Sequence, residues 1–536
     1  MKYLNKILYS FVFMIFGLAL SCTEDSYLDE TPYGFVTPET AFINKGGFES
    51  ALANLYRLGR SLRTSEAYYQ GDYAVTVIYG AGTDLGWYNE KRIYFGDYDL
   101  INSSTVIVGE YWNQLYSIIK DANLIISRLE TSSLTDEEKQ EIGAEAKFFR
   151  AYAYRFLVHL YGDVPLVTEE ITSPKFDYVR APKSEILKLM IEDLSFSSSH
   201  LPKTNPGNGR LSKAAADHVL AETYLSTGEF DKSIEASTRI IDDGQYELMN
   251  ARFGTYSNQP GDVFWDLFRI GNQNRSAGNN ESILVWQMEY GVPGGDNGKY
   301  VIERTWGPYI QFLKDDEGLN AILPADTLGR GVGFFTPGPL VETTLWESDY
   351  DNDIRNSSYN MQRVFYNNNP ESKQFGQPIE PRPEWLNRNY HVWVKKASNP
   401  YGHPQGYDTS GRMFTDIYAI RLAETYLLRA EAYLAKSDLT NAAADINVVR
   451  TRAQASPVVP SDVNIDYVLD ERARELLIEE PRRLTLSRLG LLYERVVKHN
   501  PVSEPTIKPF HNLFPIPQDV IDANTNAVLE QNPGYD

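Results

Sequence analysis

Cysteine is almost missing from this 536-residue chain: Cys22 is the only one. If Cys22 is consumed in another role, no disulfide, thiolate metal site or cysteine nucleophile remains, and core packing must hold the fold together. Histidine is scarce too. The seven His stand scattered at 159, 200, 218, 391, 403, 499 and 511. They form no His-Glu-x-x-His helix, and the nearest pairs, His391 with His403 and His499 with His511, each stand 12 positions apart, so no metal is expected. A Gly-x-Ser-x-Gly elbow is absent. Gly294 to Tyr300 has the outline of a P-loop, but Pro293 takes the first Gly position and Tyr300 the Ser/Thr position. Excess positive charge is missing as well: 51 basic against 72 acidic residues leave a net charge of −21. A phosphate-rich partner would be repelled over most of such a surface, which argues against nucleic acid. Beyond residue 22 no apolar run is long enough to cross a bilayer, which takes about 20 residues.

The N-terminus does carry an apolar run. Lys2 and Lys6 form a basic head, and Ile7 to Leu20 is almost unbroken in its hydrophobicity. Ala19-Leu20-Ser21-Cys22 closes it with a small residue just before the cysteine. The pattern is expected to be a signal peptide over 1–21, cleaved before Cys22, with lipid added to the Cys22 thiol and new amino group. Ala19 stands where such a lipobox usually has Leu, Val or Ile. An ordinary secretory signal that happens to carry a Cys is the alternative.

The body of the chain reads as helical ends around an irregular middle. Tyr111 to Leu129 has apolar residues at helical spacing. Thr135-Asp136-Glu137-Glu138 has the form of a capping box opening a helix to about Tyr161, which Gly162-Asp163-Val164-Pro165 ends. Ser212–Thr227 with Phe230–Asp242, and Ile417–Lys436 with Leu439–Ala453, predict two further helical pairs. Leu220-Ala-Glu-Thr-Tyr-Leu225 and Arg429-Ala-Glu-Ala-Tyr-Leu434 echo each other, and Arg150-Ala-Tyr-Ala-Tyr154 echoes both. A small residue follows nine positions after the Tyr, at Ser233 and Ala442, which is the spacing of a tetratricopeptide-type hairpin. The predicted fold is therefore mainly α, a scaffold of helical hairpins with a loop-rich lobe. That lobe is rich in Gly, Asn and Pro and holds Trp265, Trp286, Trp306, Trp346, Trp385 and Trp393. Disordered segments are poor in aromatics, so an ordered, loop-built unit is expected. The predicted boundaries are 22–254 for an N-terminal helical part, 255–415 for the lobe and 416–536 for the C-terminal repeats and tail.

A dense charge cluster follows the last pair. Arg472, Arg474, Arg482, Arg483 and Arg488 are interleaved with Glu471, Glu475, Glu479 and Glu480. Charges at helical spacing can pair, each exposed pair contributing only about 0.2–0.5 kcal/mol. Arg also bonds the last carbonyls of neighbouring helices, so the cluster reads as scaffold and not as a phosphate site. Pro515 and Pro517 fix an extended segment suited to lie over the helices.

In order along the chain, Leu160-Tyr-Gly-Asp-Val-Pro-Leu166, Asp353-Ile-Arg355, Arg429-Ala-Glu-Ala-Tyr-Leu434, Asp445 to Ala453, Glu471-Arg-Ala-Arg-Glu-Leu476, Arg482-Arg-Leu484 with Arg488, Phe514-Pro-Ile-Pro517 and Gln531-Asn-Pro-Gly-Tyr535 form a series that resembles the SusD/RagB family of Bacteroidetes outer-membrane lipoproteins. The resemblance runs from Cys22 to Asp536 and is weakest over 255–340. It implies a cell-surface glycan-binding lipoprotein that captures oligosaccharides as the lid of a SusC-like TonB-dependent transporter. It also implies an outer membrane location facing the exterior, no cofactor and no catalysis. Thr23-Glu24-Asp25 is similar to the acidic export signal of such lipoproteins. A RagB-like peptide binder shares every scaffold motif and is the alternative. A surface glycoside hydrolase would need two carboxylates roughly 5–10 Å apart, which 72 acidic residues neither reveal nor exclude.

A sugar ring has C–H groups on one face and hydroxyls at its edge. An exposed Trp or Tyr covers the face, and Asp, Asn or Arg beside it bonds the edge. Thr83-Asp84-Leu85-Gly86-Trp87-Tyr88-Asn89 offers that mixture, and in the family this loop resembles a region of the glycan surface. Asp84, Trp87, Tyr88 and Asn89 are the first candidates; the opposing possibility is a buried Trp87 with Asp84 capping a turn. Trp306 and Tyr309 in Arg304-Thr-Trp-Gly-Pro-Tyr309 come second. Trp346 in Leu345-Trp346-Glu347 reads as a core residue of an amphipathic helix.

Overall fold

The computed structural model describes residues 41–64, 76–89, 96–205, 207, 209–295, 300–325, 328–398 and 411–535. The expected signal peptide, Cys22 and His403 lie outside the described residues.

Eleven longer helices carry the scaffold among the described residues: α1 (Lys45–Ser61), α2 (Val106–Thr131), α3 (Asp136–Leu160), α4 (Lys183–His200), α5 (Lys213–Thr227), α6 (Phe230–Ile241), α7 (Leu422–Ala435), α8 (Leu439–Arg452), α9 (Ile465–Leu476), α10 (Arg482–Leu489) and α11 (Leu492–His499). None of the described helices is long and apolar enough to cross a membrane. The capping box forms at the head of α3: Glu138 N donates to Thr135 Oγ1 at 3.3 Å, and Thr135 N donates to Glu138 Oε2 at 3.1 Å. These bonds satisfy two amides that an uncapped helix leaves orphaned. Gly162 ends the run in the left-handed region at φ +78°, where its lack of a Cβ removes the usual strain.

From α2 to α6 each helix packs on the next, and α6 packs on α7, which packs on α8. The hairpin row therefore passes across the insertion of the middle lobe as though the chain were continuous. Ala151, Ala221, Ala430 and Ala442 are completely or almost completely buried, as is Ser233. Small side chains at these positions let the helix axes approach closely, and the tetratricopeptide-like pairing follows. The aromatic side of α3 supplies Phe148, Phe149, Tyr152 and Phe156 to the core. Each such large apolar side chain contributes about 1.5–3 kcal/mol on full burial.

One predicted helix is shorter than expected. Ile417–Arg421 is a strand, not the start of a helix, and α7 begins at Leu422. Its β-branched and aromatic residues pair antiparallel with β2 (Ser282–Trp286), all five of which are buried. This ribbon ties the lobe to the scaffold. Its Trp286 packs over Gly59 of α1, where an added Cβ would come within 2.9 Å of the indole. Trp346 is buried as expected, its indole N–H donating to Val341 O at 2.8 Å, but it lies on a single 3-10 turn rather than an amphipathic helix.

The charge cluster is interior. Glu471 accepts from Arg355, Arg450 and Arg474, and Glu475 from Arg355, Arg421 and Arg452. Arg472 pairs with Glu424 and Glu480, and Arg488 with Glu431. Burial alone would raise the Glu471 carboxyl, but Arg355, Arg474 and Arg450 outweigh it and bring it down to about 2. Such pairs cost several kcal/mol per ion in desolvation, so the scaffold reading holds while the small surface magnitude does not. The C-terminal segment closes over α3: Phe514 N donates to Leu160 O at 2.6 Å, and Asn532 Nδ2 to Tyr161 O at 2.8 Å.

Candidate functional site

Four sequence-distant segments meet beside the scaffold. The Trp87 loop supplies β1 (Gly86–Tyr88), which pairs antiparallel with β3 (Phe335–Pro337), placing Trp87 opposite Thr336 and Tyr88 opposite Phe335. Gly86 is forced by this approach: a Cβ there would lie 2.1 Å from Thr336 O. The Arg304 to Tyr309 segment is bonded to the residues just before β3 and to Arg388. Val332 N donates to Arg304 O at 2.9 Å, Gly333 N to Gly307 O at 2.8 Å, and Tyr309 N to Arg388 O at 2.9 Å. Asn89 and Thr336 knit the last segment in. Asn89 Nδ2 donates to Gly333 O at 2.9 Å, and Thr336 Oγ1 to Asn387 O at 2.6 Å.

The six residues singled out in the sequence divide into two groups. Trp87, Asn89 and Tyr309 remain partly exposed on this patch. Asp84, Tyr88 and Trp306 do not. Trp306 is 0% exposed, its ring 4.0 Å from that of Phe335 and packed over Gly80. Tyr88 is buried and stacks on Phe334 at 5.8 Å. Asp84 is 0% exposed. It neither caps a turn nor faces solvent: it accepts from Arg482 Nε at 2.9 Å and Nη2 at 2.6 Å, and from Arg495 Nε at 2.9 Å. Burial would raise its carboxyl, but the two guanidiniums overcome that and hold it well below the ordinary range. In this arrangement the Asp84, Tyr88 and Trp306 side chains are buried and support the loop. An apolar ring or a charge without exposed surface has nothing to offer a sugar.

The supports share an origin. Arg483 Nε donates to Val77 O at 3.1 Å and its Nη2 to Ala81 O at 3.3 Å, which is the carbonyl-bonding role expected of this cluster. Asn500 Nδ2 donates to Thr83 O at 2.8 Å and Gly86 O at 2.9 Å. Arg482, Arg483, Arg495 and Asn500 thus hold the 76–86 stretch from both ends. Sequence reasoning missed Arg495 and Asn500, whose only signal was proximity to the charge cluster. It also missed Phe334, Thr336 and Asn387, which sit in the lobe without a motif. Around Tyr309 stand Phe312, at 4.3 Å between ring centroids, and the guanidiniums of Arg330 and Arg388 at 4.9 and 5.4 Å. Among the described residues no group of three His, Cys, Asp or Glu is placed to hold a metal ion.

The profile of the SusD family matches residues 342–535, and a second profile, described as starch-binding associating with outer membrane, matches residues 26–225. The chain is similar to SusD-like protein P25 of Formosa agariphila, 26% identical over 579 residues and covering 100% of both chains. Among solved structures it is similar to a SusD superfamily protein from Bacteroides vulgatus, with a TM-score of 0.71 at 19% identity over 92% of this chain and 99% of that one. A laminarin binding SusD-like protein gives a TM-score of 0.68 at 22% identity, covering 92% of this chain and 100% of that one.

Proposed function

We propose that this chain, which matches the SusD family profile over residues 342–535 and the starch-binding outer-membrane profile over residues 26–225, is a cell-surface glycan-binding lipoprotein of the SusD/RagB kind. It is held to the outer membrane through Cys22, faces the exterior, captures oligosaccharides and delivers them to a SusC-like TonB-dependent transporter over which it closes as a lid. One observation carries the glycan reading: the partly exposed Trp87 and Tyr309 are joined through Thr336, Asn387 and Arg388 into a single patch. Aromatic faces for sugar C–H groups and amide or guanidinium donors for hydroxyls then stand side by side. The laminarin-binding neighbour and the starch-binding profile support the same class of ligand. The rigid hairpin row supplies the extended surface that docking on a transporter requires.

The test is affinity electrophoresis of the full-length protein in detergent through gels containing plant, fungal, algal or host polysaccharides. Retardation by one of them, abolished by Trp87→Ala, is the expected result. Normal mobility in every gel, together with binding of a peptide library by calorimetry, would replace this reading with a RagB-like peptide binder. Release of shorter sugars from a bound oligosaccharide would instead make the protein a hydrolase.

A further inference from the structure

A small cavity lies where the lobe meets the scaffold. Its volume is about 30 Å³, and it is bordered by Arg63 after α1, Gln273 in the lobe, Thr415 just before the Ile417–Arg421 strand, and Ile478 after α9. Arg63, Gln273 and Thr415 are only 5%, 1% and 5% exposed. Arg63 Nε and Nη1, Gln273 Oε1 and Thr415 Oγ1 have no hydrogen-bond partner among the described residues. The Gln273 amide is fixed by its other end: Nε2 donates to Leu267 O at 3.0 Å and to Arg269 O at 2.7 Å, which leaves Oε1 as a pure acceptor. The Arg63 guanidinium is held as well. Its Nη2 donates to Ile478 O, its Cζ lies 3.6 Å from the Tyr79 ring centre, and it also interacts with the Tyr300 hydroxyl. Ile478 adopts φ +76° in the interior, a strained region for a β-branched residue, and its carbonyl is the one that Arg63 holds.

A buried donor or acceptor that meets nothing keeps its full desolvation cost, so these atoms call for a ligand. The rest of the lining says which kind. A halide would meet Gln273 Oε1 and the carboxylates of Asp416 and Glu479, and a cation would meet Arg63 and Lys396. What fits is small, neutral and able both to give and to accept hydrogen bonds. A water needs a cavity of at least about 10–15 Å³ and about two to four polar partners, and both conditions are met. We propose that a buried water molecule is a fixed part of this seam, accepting from Arg63, donating to Gln273 Oε1 and bonding the Thr415 hydroxyl. It joins the end of α1, the lobe and the strand that ties the two together. The lobe is thus seated on the scaffold partly through solvent, and this assignment is independent of what the protein binds at its surface.

The test is a crystal structure of the full-length protein in detergent, at a resolution that shows ordered water, with and without a bromide soak. The expected result is a water oxygen within about 3.2 Å of an Arg63 nitrogen, Gln273 Oε1 and Thr415 Oγ1, with no anomalous bromide signal there. Bromide on Arg63 would make this an anion site and overturn the proposal, as would the absence of any density between the three side chains. Thr415→Val gives a second reading through the sign of its effect. If the hydroxyl bonds a water, valine removes that bond and takes a partner from the water, so the melting temperature should fall by a few degrees, and Thr415→Ser should restore most of it. If the hydroxyl is dry, a methyl suits the site better than an unpartnered polar atom. A higher melting temperature for Thr415→Val would therefore overturn the proposal.

Discussion

Asp84→Asn separates a support from a ligand contact. The carboxylate is fully buried and accepts from Arg482 twice and from Arg495 once. Asparagine keeps the shape, loses the charge and turns an N–H₂ toward guanidinium donors. Arg482 retains Glu480 at 3.2 Å, and Arg495 retains Asp466 and Asp470, so the two cations are not wholly abandoned. Breaking a buried pair by removing one partner costs about 3–5 kcal/mol, and the remaining acids place this case near the lower end. A loss of about 3 kcal/mol is therefore expected, against about 0–1 kcal/mol for an exposed pair.

Urea unfolding followed by intrinsic fluorescence measures it. The double variant Asp84→Asn, Arg482→Gln should recover part of the loss, because it removes the cation left without its partner. The pH dependence gives an independent reading. A carboxyl whose folded value is depressed contributes stability above its unfolded value, about 3.9, and that stability is lost as pH falls toward the folded value. The gap between wild type and Asp84→Asn should be full at neutral pH and shrink below about pH 4. Glycan affinity of the folded variant should change far less than its stability. Unchanged stability combined with abolished binding would refute the reasoning and return Asp84 to the ligand surface.

Trp87→Ala should weaken glycan binding by about tenfold while costing little stability, since the ring is only partly buried; a loss above about 3 kcal/mol would mark it as core. Gly86→Ala places a Cβ against Thr336 O and should part β1 from β3, costing about 1–3 kcal/mol and displacing Trp87, which loss of glycan retardation would report. His391 is buried with Nδ1 at 2.9 Å from Val392 O and Nε2 without a hydrogen-bond partner among the described residues, and burial lowers its pKa to about 4 despite that carbonyl. The unfolded chain then binds a proton between about pH 6.5 and 4 that the folded protein refuses, so stability should fall by roughly 3 kcal/mol across that window as pH drops. His391→Gln should flatten that slope in a denaturation series at stepped pH.

What was legible in the sequence is what short-range physics writes there. The capping box at Thr135, the stop at Gly162 and the Ala–Tyr spacing of the hairpins each depend on residues within a turn or two of one another. What was illegible depends on partners hundreds of positions away. Asp84 has a residue type that suits a sugar hydroxyl or a guanidinium equally well, and its partners stand 398 and 411 residues later. Trp306 looks like a binding residue until Gly80 and Phe335 are seen to enclose it. Ile417–Arg421 continues an apolar stretch into a helix and becomes a strand only because Ser282–Trp286 is there to pair with it. The arginine and glutamate run suggested pairing along one helix. Arg474 and Glu471 do pair three residues apart, but most of the other partners are drawn from distant segments.

That distribution of charges bears on binding. A loop that presents Trp87 must hold still, because ordering it on capture would subtract from the affinity gained. Apolar packing anchors this stretch through Val77, Ile78, Leu85 and Tyr88, but it leaves the carbonyls of a short, Gly-containing loop without partners. Charged and amide groups act on the backbone itself: Arg483 on the carbonyls of Val77 and Ala81, and Asn500 on those of Thr83 and Gly86. Arg482 and Arg495 fix the one carboxylate between them. Desolvating these groups costs stability that a hydrophobic core would not forgo. In return, the loop has a defined position relative to α10 and α11, and the loop-rich lobe meets it there through β3. The C-terminal scaffold therefore contributes none of the patch's exposed aromatic rings and yet determines where Trp87 stands.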